Sequence, residues 1–397
     1  MTVRDTPVSI PCRLSEPGVV CSLGDSLDSI AEALFSGRRG LFASDSFTPG
    51  RTLPLGQVNT PLPNTHGWPM EHRSRNNQLL AVALARLGET LNRTLVAHDP
   101  SRIGVVIGTS TSGVGETEQA LASAGREAPL PEDFRYARQE LGAPARFVAE
   151  RLGIEGPAYA LSTACSSSAR ALASARRLLR SGECDAVIAG GADSLCRLTV
   201  NGFASLEAIS DAPSLPFSVN RCGINLGEAA ALFVVTREPG GIQLEGVGES
   251  SDAYHVSAPR PDGSGALAAM RAALAQAGCG PDDVDYLNLH GTGTAHNDRM
   301  EALAVSELFA TPPPCSSTKA LTGHTLGAAG ALEAVFCWLA LTYGKRPLHA
   351  YDGHYDSALP ALPLVMDTRG EPPRRALSNS FAFGGNNAAL LLGRADA

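Results

Sequence analysis

The sequence predicts an α/β protein in which buried strands lie between helices. Short apolar runs, partly of β-branched residues, alternate with longer stretches whose apolar residues recur at helical spacing. A proline- and glycine-containing break at residues 238–241 is a plausible hinge near the middle of the chain. This alternation is typical of mixed packing, in which sheets bury both faces against helices.

The apolar runs predict strands at residues 103–107, 185–189, 231–235, 286–289 and 388–392, with a shorter strand-like run at 159–161. The helical patterns predict helices at residues 75–91, 166–179, 265–277 and 326–342. Glycine and alanine are frequent on the faces of these helices, which suits close packing against a sheet or a partner helix.

Composition excludes several classes of protein. The chain has 397 residues, of which 44% are hydrophobic and 18% charged, as in an ordinary globular protein. Its net charge of −8 argues against general nucleic-acid binding, which needs a basic surface. We find no apolar run of about eighteen residues and therefore expect no membrane span.

The cysteines and the N-terminus bear on the cellular compartment. Nine cysteines are scattered without a Cys-x-x-Cys pair, which fits neither a disulfide framework nor a zinc site and favours a reducing cytoplasm. Residues 1–7 contain an early acid and a proline, and no long apolar segment follows them, so we expect no signal peptide.

Cys165 is the candidate nucleophile. It lies in the segment STACSSSAR at residues 162–170, between the strand-like run and a predicted helix. A helix N-terminus favours the thiolate, which lowers the pKa of a cysteine, and its free N–H groups can hold an oxyanion. A single cysteine is more often an inert buried residue, and we interpret the other eight in that way.

Two histidines in the second half of the chain are the candidate partners. His290 lies in LHGTGTAHND at residues 289–298, and His324 lies in KALTGHTLGAAG at residues 319–330. Either histidine alone could be structural. One cysteine and two histidines, each among small residues that allow close backbone approach, indicate a site for acyl-thioester chemistry.

These segments resemble the β-ketoacyl-[acyl carrier protein] synthases, the condensing enzymes of fatty acid and polyketide assembly. The resemblance also includes residues 18–25, Pro216 and Phe217 with Arg221, residues 227–228, and NSFAFGG at residues 379–385. It implies an α/β, thiolase-like fold of two similar halves in a layered α-β-α-β-α arrangement. Residues 1–240 would carry Cys165, and residues 241–397 would carry both histidines and a gate loop.

The resemblance also implies the chemistry. Cys165 would accept an acyl group, and a malonyl unit on a carrier protein would then lose carbon dioxide and attack that thioester. His290 and His324 would stabilise the enolate as neutral Nε2–H donors, while backbone N–H groups of Cys165 and Phe383 would hold the tetrahedral oxyanion. The resemblance assigns Lys319 and Glu333 to support of the histidines, and Asn297 with Asp298 to a structural network behind them.

The family's other site residues concern substrate delivery. Thr292 and Thr294 match threonines that bond the carrier's phosphopantetheine arm, although they could simply stabilise a turn. Phe383 matches a gating phenylalanine, with a plain core aromatic as the alternative. The resemblance implies no metal and no organic cofactor, because the acyl carrier protein brings its own phosphopantetheine.

Partners follow from the same resemblance. The acidic carrier protein needs only a few local cations, for which Arg73 and Arg75 are preferred, while Arg135 and Arg138 could equally be solvated. Relatives are dimers, so we expect a homodimer or a heterodimer with a chain-length-factor-like homologue.

Within the family, residues 248–255 and 315–319 look most like the ketosynthases of bacterial aryl polyene clusters. The row of hydroxyls at residues 108–113 stands where relatives have a more glycine-rich loop, with an apolar residue at the position of Thr111. We therefore expect an acyl pocket adapted to a stiff, conjugated or aryl-capped chain.

Other functions remain open at this point. A general fatty acid elongation enzyme would share every motif, and so would a ketosynthase subunit that is active only with a chain-length-factor partner. A chain-length-factor subunit would usually lack the cysteine, and a thiolase would need a second cysteine after Cys337. A carrier-docking scaffold would not need the reactive set, and a cysteine peptidase would leave His324 and Lys319 unexplained.

Overall fold

The computed structural model of the protein describes residues 10–124 and 129–395. The segment on which the signal-peptide expectation rests, residues 1–7, lies outside this part. The strands are β1 Arg13–Leu14, β2 Gly18–Cys21, β3 Phe42–Ser44, β4 Leu53–Leu55, β5 Ile103–Gly108, β6 Ala158–Leu161, β7 Ala186–Asp193, β8 Ala229–Thr236, β9 Ile242–Ser251, β10 Tyr286–Asn288, β11 Cys315–Ser316, β12 Arg375–Ala382 and β13 Asn386–Arg394.

The helices connect these strands and cover the sheet. They are α1 Leu27–Ser36, α2 Arg75–Ala97, α3 Val114–Ala124, α4 Ala143–Leu152, α5 Ser167–Ser181, α6 Arg197–Ser205, α7 Ser264–Ala277, α8 Ala295–Leu308, α9 Lys319–Thr322 and α10 Ala329–Tyr343. Every predicted strand and helix is present, with ends that differ by a few residues. The largest difference is α2, which continues six residues past its predicted end.

The sheet is built from two matching sets of five strands. In the first set the order is β2-β8-β7-β5-β6, and in the second it is β9-β13-β12-β10-β11. In both sets the first two pairings are antiparallel and the last two are parallel. Numbered along the chain, both sets have the order 1-5-4-2-3, so the prediction of two similar halves is confirmed. The short β1 pairs with β8 and β9 and joins the sets.

The layers place two helices between the half-sheets. Helices α5 and α10 contact each other and strands of both sets, while α2 and α4 cover the first set and α7 covers the second. A β-carbon on Gly330 of α10 would lie 2.7 Å from Ala169 of α5, so the glycine permits this close approach. The helix that follows Cys165 and the helix that follows His324 therefore meet in the middle layer.

The expectation about membrane spans needs one correction. The helical segment Leu326–Tyr343, 18 residues long, is long and apolar enough to cross a membrane, although the sequence analysis found no such run. In the protein 83% of this segment is buried, which is the behaviour of a core helix. It contains the buried Glu333, whose carboxylate requires a polar partner inside the protein.

The halves meet in the connection between β8 and β9. Strand β8 ends at Thr236 and β9 begins at Ile242. The predicted boundary at residue 240 falls in this connection and stays a prediction.

Candidate active site

Cys165 lies in a tight turn between β6 and α5. The preceding Ala164 has a φ of 51°, a left-handed conformation that costs free energy for a residue with a β-carbon. Ser167 holds the turn, since its hydroxyl accepts a hydrogen bond from Thr163 N–H at 2.9 Å. This turn brings the thiol to the start of the helix, as the sequence predicts.

The prediction of a lowered thiol pKa is wrong for the resting protein. Cys165 is only 5% exposed, and burial raises the pKa of its thiol to about 12. The positive charge of Lys319 and the backbone N–H of Phe383 both act to lower this pKa, but the loss of hydration outweighs them. The thiol therefore carries its proton at neutral pH and needs an acceptor for it.

That acceptor is positioned by the turn between α9 and α10. Nε2 of His324 lies 2.9 Å from Sγ of Cys165. The backbone of His324 is fixed by its own N–H, which donates to Asn225 O at 2.7 Å, and by its carbonyl, which accepts from Gly227 N–H at 3.0 Å. The histidine is thus held against the sulfur by a segment of the first half of the chain.

His290 completes the set. Its ring lies edge-on to that of His324, with a centroid distance of 5.5 Å and an interplanar angle of 85°. One ligand-type atom each from Cys165, His290 and His324 lies within 4.8 Å of the others. Among the residues the structure describes, this is the one group of three side chains that could hold a metal ion, and its residues are the predicted reactive set.

Glu301 orients the segment that carries His290. Its carboxylate is fully buried and accepts the backbone N–H groups of His290 and Gly291, each at 2.7 Å. A third donor is the side-chain amide of Asn379, at 3.2 Å. Sequence reasoning missed Glu301, and an acid on the buried face of a helix next to a histidine segment could have indicated it.

Asp298 supports the same segment from the other side. This buried carboxylate accepts Phe217 N–H at 2.8 Å and Gly293 N–H at 3.1 Å. The side chain of Asn297 donates to it at 3.3 Å. Asn297 and Asp298 therefore form the network behind the histidine segment that the family resemblance implies.

Both histidines are neutral near pH 7. Burial lowers the pKa of His290 and of His324 well below the ordinary value, and the charge of Lys319 lowers both further. Nδ1 of each ring has no hydrogen-bond partner among the described residues. At Nε2, however, His324 has Sγ of Cys165 as its partner, and a protonated thiol that donates there leaves the ring proton on Nδ1.

Lys319 and Glu333 form a buried ion pair beside this set. Nζ of Lys319 contacts Oε1 of Glu333, and the two side chains are 4% and 3% exposed. Burial raises the pKa of Glu333, whereas the charge and hydrogen bond of Lys319 lower it. The pair keeps a positive charge near the sulfur of Cys165 inside an otherwise apolar helix layer.

Phe383 lies at the mouth of the site. Its backbone N–H interacts with the thiol of Cys165, which places a donor where negative charge on the reacting atoms would develop. Its ring packs against Phe203 of α6 with a centroid distance of 5.4 Å. Phe203 was not singled out from the sequence, because a lone phenylalanine on a helix carries no distinctive pattern.

A cavity of about 530 Å³ leads to these residues. Its lining includes Cys165, both histidines, Phe383, Thr292 and Thr294. The hydroxyls of the two threonines are 2.9 Å apart and hydrogen-bonded. The threonines therefore both stabilise their turn and face the cavity, so the two interpretations made from the sequence are compatible.

The hydroxyls of the two threonines in residues 108–113 bind a buried carboxylate, while the expected adaptation of an acyl pocket stays a prediction. Both threonines are buried, and their Oγ1 atoms donate to Asp193, at 2.7 Å for Thr109 and 2.8 Å for Thr111. Asp193 also accepts from the N–H of Ser110 at 2.8 Å. These hydroxyls serve a buried carboxylate, and none of the residues lines the cavity described above.

The predicted docking cations also need revision. Arg75 donates to the buried carboxylate of Glu228 at 2.8 Å, so its charge is already compensated inside the protein. Arg138 is 9% exposed and donates to backbone carbonyls. Arg138 is therefore withdrawn from the surface, whereas 31% of the Arg75 side chain is exposed and its role in docking stays a prediction. Arg73, which is partly exposed, and Arg135, which is exposed, stay predictions.

Two sequence models of one protein family match the chain. The model described as "Beta-ketoacyl synthase, N-terminal domain" matches residues 61–239, and "Beta-ketoacyl synthase, C-terminal domain" matches residues 242–350. Among curated proteins, Nodulation protein E of Rhizobium meliloti is 37% identical over 303 residues, covering 73% of this chain and 75% of that protein. The 3-oxoacyl-[acyl-carrier-protein] synthase 2 of Rhizobium meliloti strain 1021 is 36% identical over 371 residues, covering 86% and 87%.

A solved structure is similar over the full length. It is a ketosynthase, ApeO, in complex with its chain length factor, ApeC, from Xenorhabdus doucetiae. It is 45% identical with a TM-score of 0.93, and the match covers 100% of both chains. The likeness therefore includes both sets of strands and the middle layer between them.

Proposed function

Because this chain belongs to the beta-ketoacyl synthase family and is a condensing enzyme of the acyltransferase class, we propose that it extends an acyl group held on Cys165. The extender is a malonyl unit on an acyl carrier protein, and the product is a β-ketoacyl carrier protein. The observation that carries this proposal is the contact of 2.9 Å between Nε2 of His324 and Sγ of Cys165, with His290 beside it.

In the first half-reaction the Cys165 sulfur attacks the carbonyl carbon of an acyl thioester. The thiol proton passes to Nε2 of His324, in the tautomer that leaves this nitrogen free, and then to the departing pantetheine thiolate. The backbone N–H of Phe383 is placed to stabilise the tetrahedral oxyanion. The acyl group ends on Cys165 and the carrier leaves as its thiol.

In the second half-reaction the malonyl thioester loses carbon dioxide, and the electron pair of the broken bond forms an enolate. Neutral N–H groups of His290 and His324 stabilise the enolate oxygen. Once Cys165 carries the acyl group, Nε2 of His324 no longer faces a thiol proton and can carry the ring proton as a donor. The enolate carbon attacks the Cys165 thioester. Collapse of the intermediate releases the β-ketoacyl product and the cysteine thiolate, which regains a proton from solvent.

The lowered pKa values of the two histidines predict the pH dependence of decarboxylation. The rings stay neutral through their ordinary pKa of about 6.5, so we expect the rate to stay level as the pH falls from about 8 to 6.5. Radiolabelled carbon dioxide release from malonyl carrier protein measures this. A halving of the rate at pH 6.5 in protein that remains folded would contradict neutral, buried donors.

The control is a melting curve at each pH. An unfolded chain takes up protons on these histidines below about pH 6.5, while the folded chain does not. These two groups therefore contribute stability that is present above that pH and lost as the pH falls below it. A rate that falls together with the melting temperature reports unfolding, and one that falls without it reports chemistry.

Thr292 and Thr294 are proposed to hold the phosphopantetheine arm, since both line the cavity beside the histidines. Replacing both with valine keeps their shape and removes two hydroxyls. Because a neutral hydrogen bond contributes about 1 kcal/mol, we expect KM for acyl carrier protein to rise about fivefold or more, with little change in kcat. Serine at both positions is the control, and an equal KM for the valine and serine variants would reject this role.

We further infer that the chain works in aryl polyene assembly and pairs with a chain-length-factor homologue. The full-length likeness to a ketosynthase solved with its chain length factor supports this. Within residues 10–124 and 129–395, strand β6 pairs with β5 alone, and its residues are partly exposed. Such an edge is suited to pairing with another chain, and it lies just before Cys165.

The test combines product analysis with the state of assembly. The purified chain, alone and co-purified with the homologue, is given saturated or conjugated acyl carrier protein together with malonyl carrier protein. We expect β-ketoacyl product to form faster from conjugated than from saturated acyl groups. We also expect it to form faster in a one-to-one complex with the homologue than with the chain alone. If the chain alone extends saturated and conjugated acyl groups at equal rates, the result would favour a homodimer that performs general fatty acid elongation.

A cytoplasmic location is part of this proposal. All nine cysteines are free, and eight of them are at least partly buried. Free thiols persist in a reducing compartment, which is also where carrier-protein substrates are expected.

A further inference from the structure

The carboxylate of Asp193 joins the two segments that carry Cys165 and His324. It is the last residue of β7, is completely buried and is not part of the reactive set. Oδ1 accepts four hydrogen bonds from the loop after β5, namely the N–H groups of Ser110 and Thr111 and the hydroxyls of Thr109 and Thr111. Oδ2 accepts the N–H of Gly327 at 2.6 Å and shares the N–H of Ser110 at 3.0 Å.

The loop side of this network reaches the nucleophile. Ser110 Oγ donates to the carbonyl of Ala164 at 3.4 Å, and Ala164 is the left-handed residue directly before Cys165. Gly108 is the last residue of β5, and a β-carbon on it would lie 2.3 Å from the backbone nitrogen of Ser168. The loop therefore begins directly against the start of α5. The position of the loop thus affects the turn that presents the thiol.

The other side of the network reaches His324. Gly327 follows Leu326, whose φ of 52° is also left-handed, and Leu326 lies two residues after the histidine. A β-carbon on Gly327 would lie 2.7 Å from Oδ2 of Asp193 and 2.8 Å from Ser110 N, so the turn, the carboxylate and the loop are in close contact. A strained turn persists only where its surroundings hold it.

We propose that Asp193 is a positioning residue that sets the approach of His324 to Cys165 by binding the loop of residues 109–111 and Gly327 with the same carboxylate. The inference rests on the proposed roles of Cys165 and His324. It adds a carboxylate, contributed by a third strand, that fixes the two reactive groups relative to each other without touching the substrate.

Replacing Asp193 with asparagine tests this at one atom. The amide oxygen of asparagine can accept the four hydrogen bonds that the loop donates to Oδ1. The NH2 group then faces the N–H of Gly327. Two donors then face each other, and the turn after His324 must move. Because a misplacement of about 1 Å can cost about a hundredfold in rate, we expect kcat to fall at least about tenfold, with KM within about twofold of the original.

The matched pair Thr111→Val and Thr111→Ser keeps the carboxylate and its charge. Valine has the shape of threonine but removes one hydroxyl donor to Asp193, while serine retains it. We expect a smaller loss of kcat with valine and nearly the original kcat with serine. If Asp193→Asn does not fold, this pair decides the question, and equal rates for valine and serine overturn the proposal.

Alkylation of Cys165 by iodoacetamide supplies a readout that needs no acyl substrate. The negative charge of Asp193 raises the pKa of the thiol, so removal of the charge alone would speed alkylation. Loss of the contact with His324 removes the proton acceptor and slows it. Slower alkylation in Asp193→Asn, and in Thr111→Val relative to Thr111→Ser, is the expected result. Faster alkylation, or a folded Asp193→Asn protein with unchanged kcat, overturns the positioning role.

The two levels of inference fail in different ways. If the unaltered protein takes up no acyl group on Cys165, the proposed function fails, while the alkylation rates still report whether Asp193 positions the histidine. If the unaltered protein is acylated and the variants behave like it in both assays, only the positioning role fails.

Discussion

Alanine at Cys165 is expected to abolish the acyl-enzyme and to lower condensation at least about a thousandfold, because loss of a nucleophile removes the covalent route entirely. The thiol is the one reactive sulfur that contacts a histidine in the described part of the chain. Intact-protein mass after incubation with acyl carrier protein measures the result. The unaltered chain should gain the mass of one acyl group, which malonyl carrier protein should then remove.

Cys222 provides the matched control for this experiment. It lines the same cavity, and of the nine cysteines it is the exposed one. The thiol of Cys222 lies 3.0 Å from Oγ of Ser210. The cysteine that His324 contacts is Cys165. Alanine at Cys222 should leave acylation intact. If the acyl group persists in the Cys165→Ala protein and disappears in the Cys222→Ala protein, then Cys222 is the nucleophile and the assignment to Cys165 is wrong.

Methionine at Lys319 is expected to destabilise the protein by about 3–5 kcal/mol, because it leaves the carboxylate of Glu333 buried without its cation. The other oxygen of Glu333 already has no partner among the described residues, so no second donor there can compensate. Chemical denaturation with a two-state fit measures the change in the free energy of unfolding. Activity should also fall, since Lys319 supplies the positive charge near Cys165.

The double variant Lys319→Met with Glu333→Leu separates stability from chemistry. Replacing both members of a buried ion pair with apolar residues is often neutral for stability. We therefore expect stability to recover in the double variant while the acylation rate stays low. Recovery of both would mean that the pair is purely structural, and recovery of neither would mean that apolar packing at this position is poor.

The sequence predicted the elements and the reactive residues because both follow from local patterns. A strand-like run before Cys165 and a helix after it are visible in a window of about twenty residues, and so is the clustering of small residues around His290 and His324. The similarity of the two halves was predicted from the family resemblance, and their strand order was not predicted. Pairing between strands far apart in the chain leaves no comparable local pattern.

What the sequence could not predict depends on which side chains meet in space. The cysteine was expected to have a lowered pKa, because the helix start is visible in the sequence and complete burial is not. Arg75 was interpreted as a surface cation, since its partner Glu228 is 153 residues away along the chain. The hydroxyl row was related to an acyl pocket because nothing in its own segment indicates the acid that binds it, Asp193, which is 84 residues from Thr109 along the chain.

The repeated strand order has a consequence for the origin of this enzyme. Each half supplies one central helix, and the reactive groups are divided between them, with the sulfur in one and the imidazoles in the other. An ancestor with a single half would have had to associate as two identical copies, with equivalent helix starts facing each other across a two-fold axis. Within one chain the two halves need not be identical, so one can carry the nucleophile and the other the proton carrier.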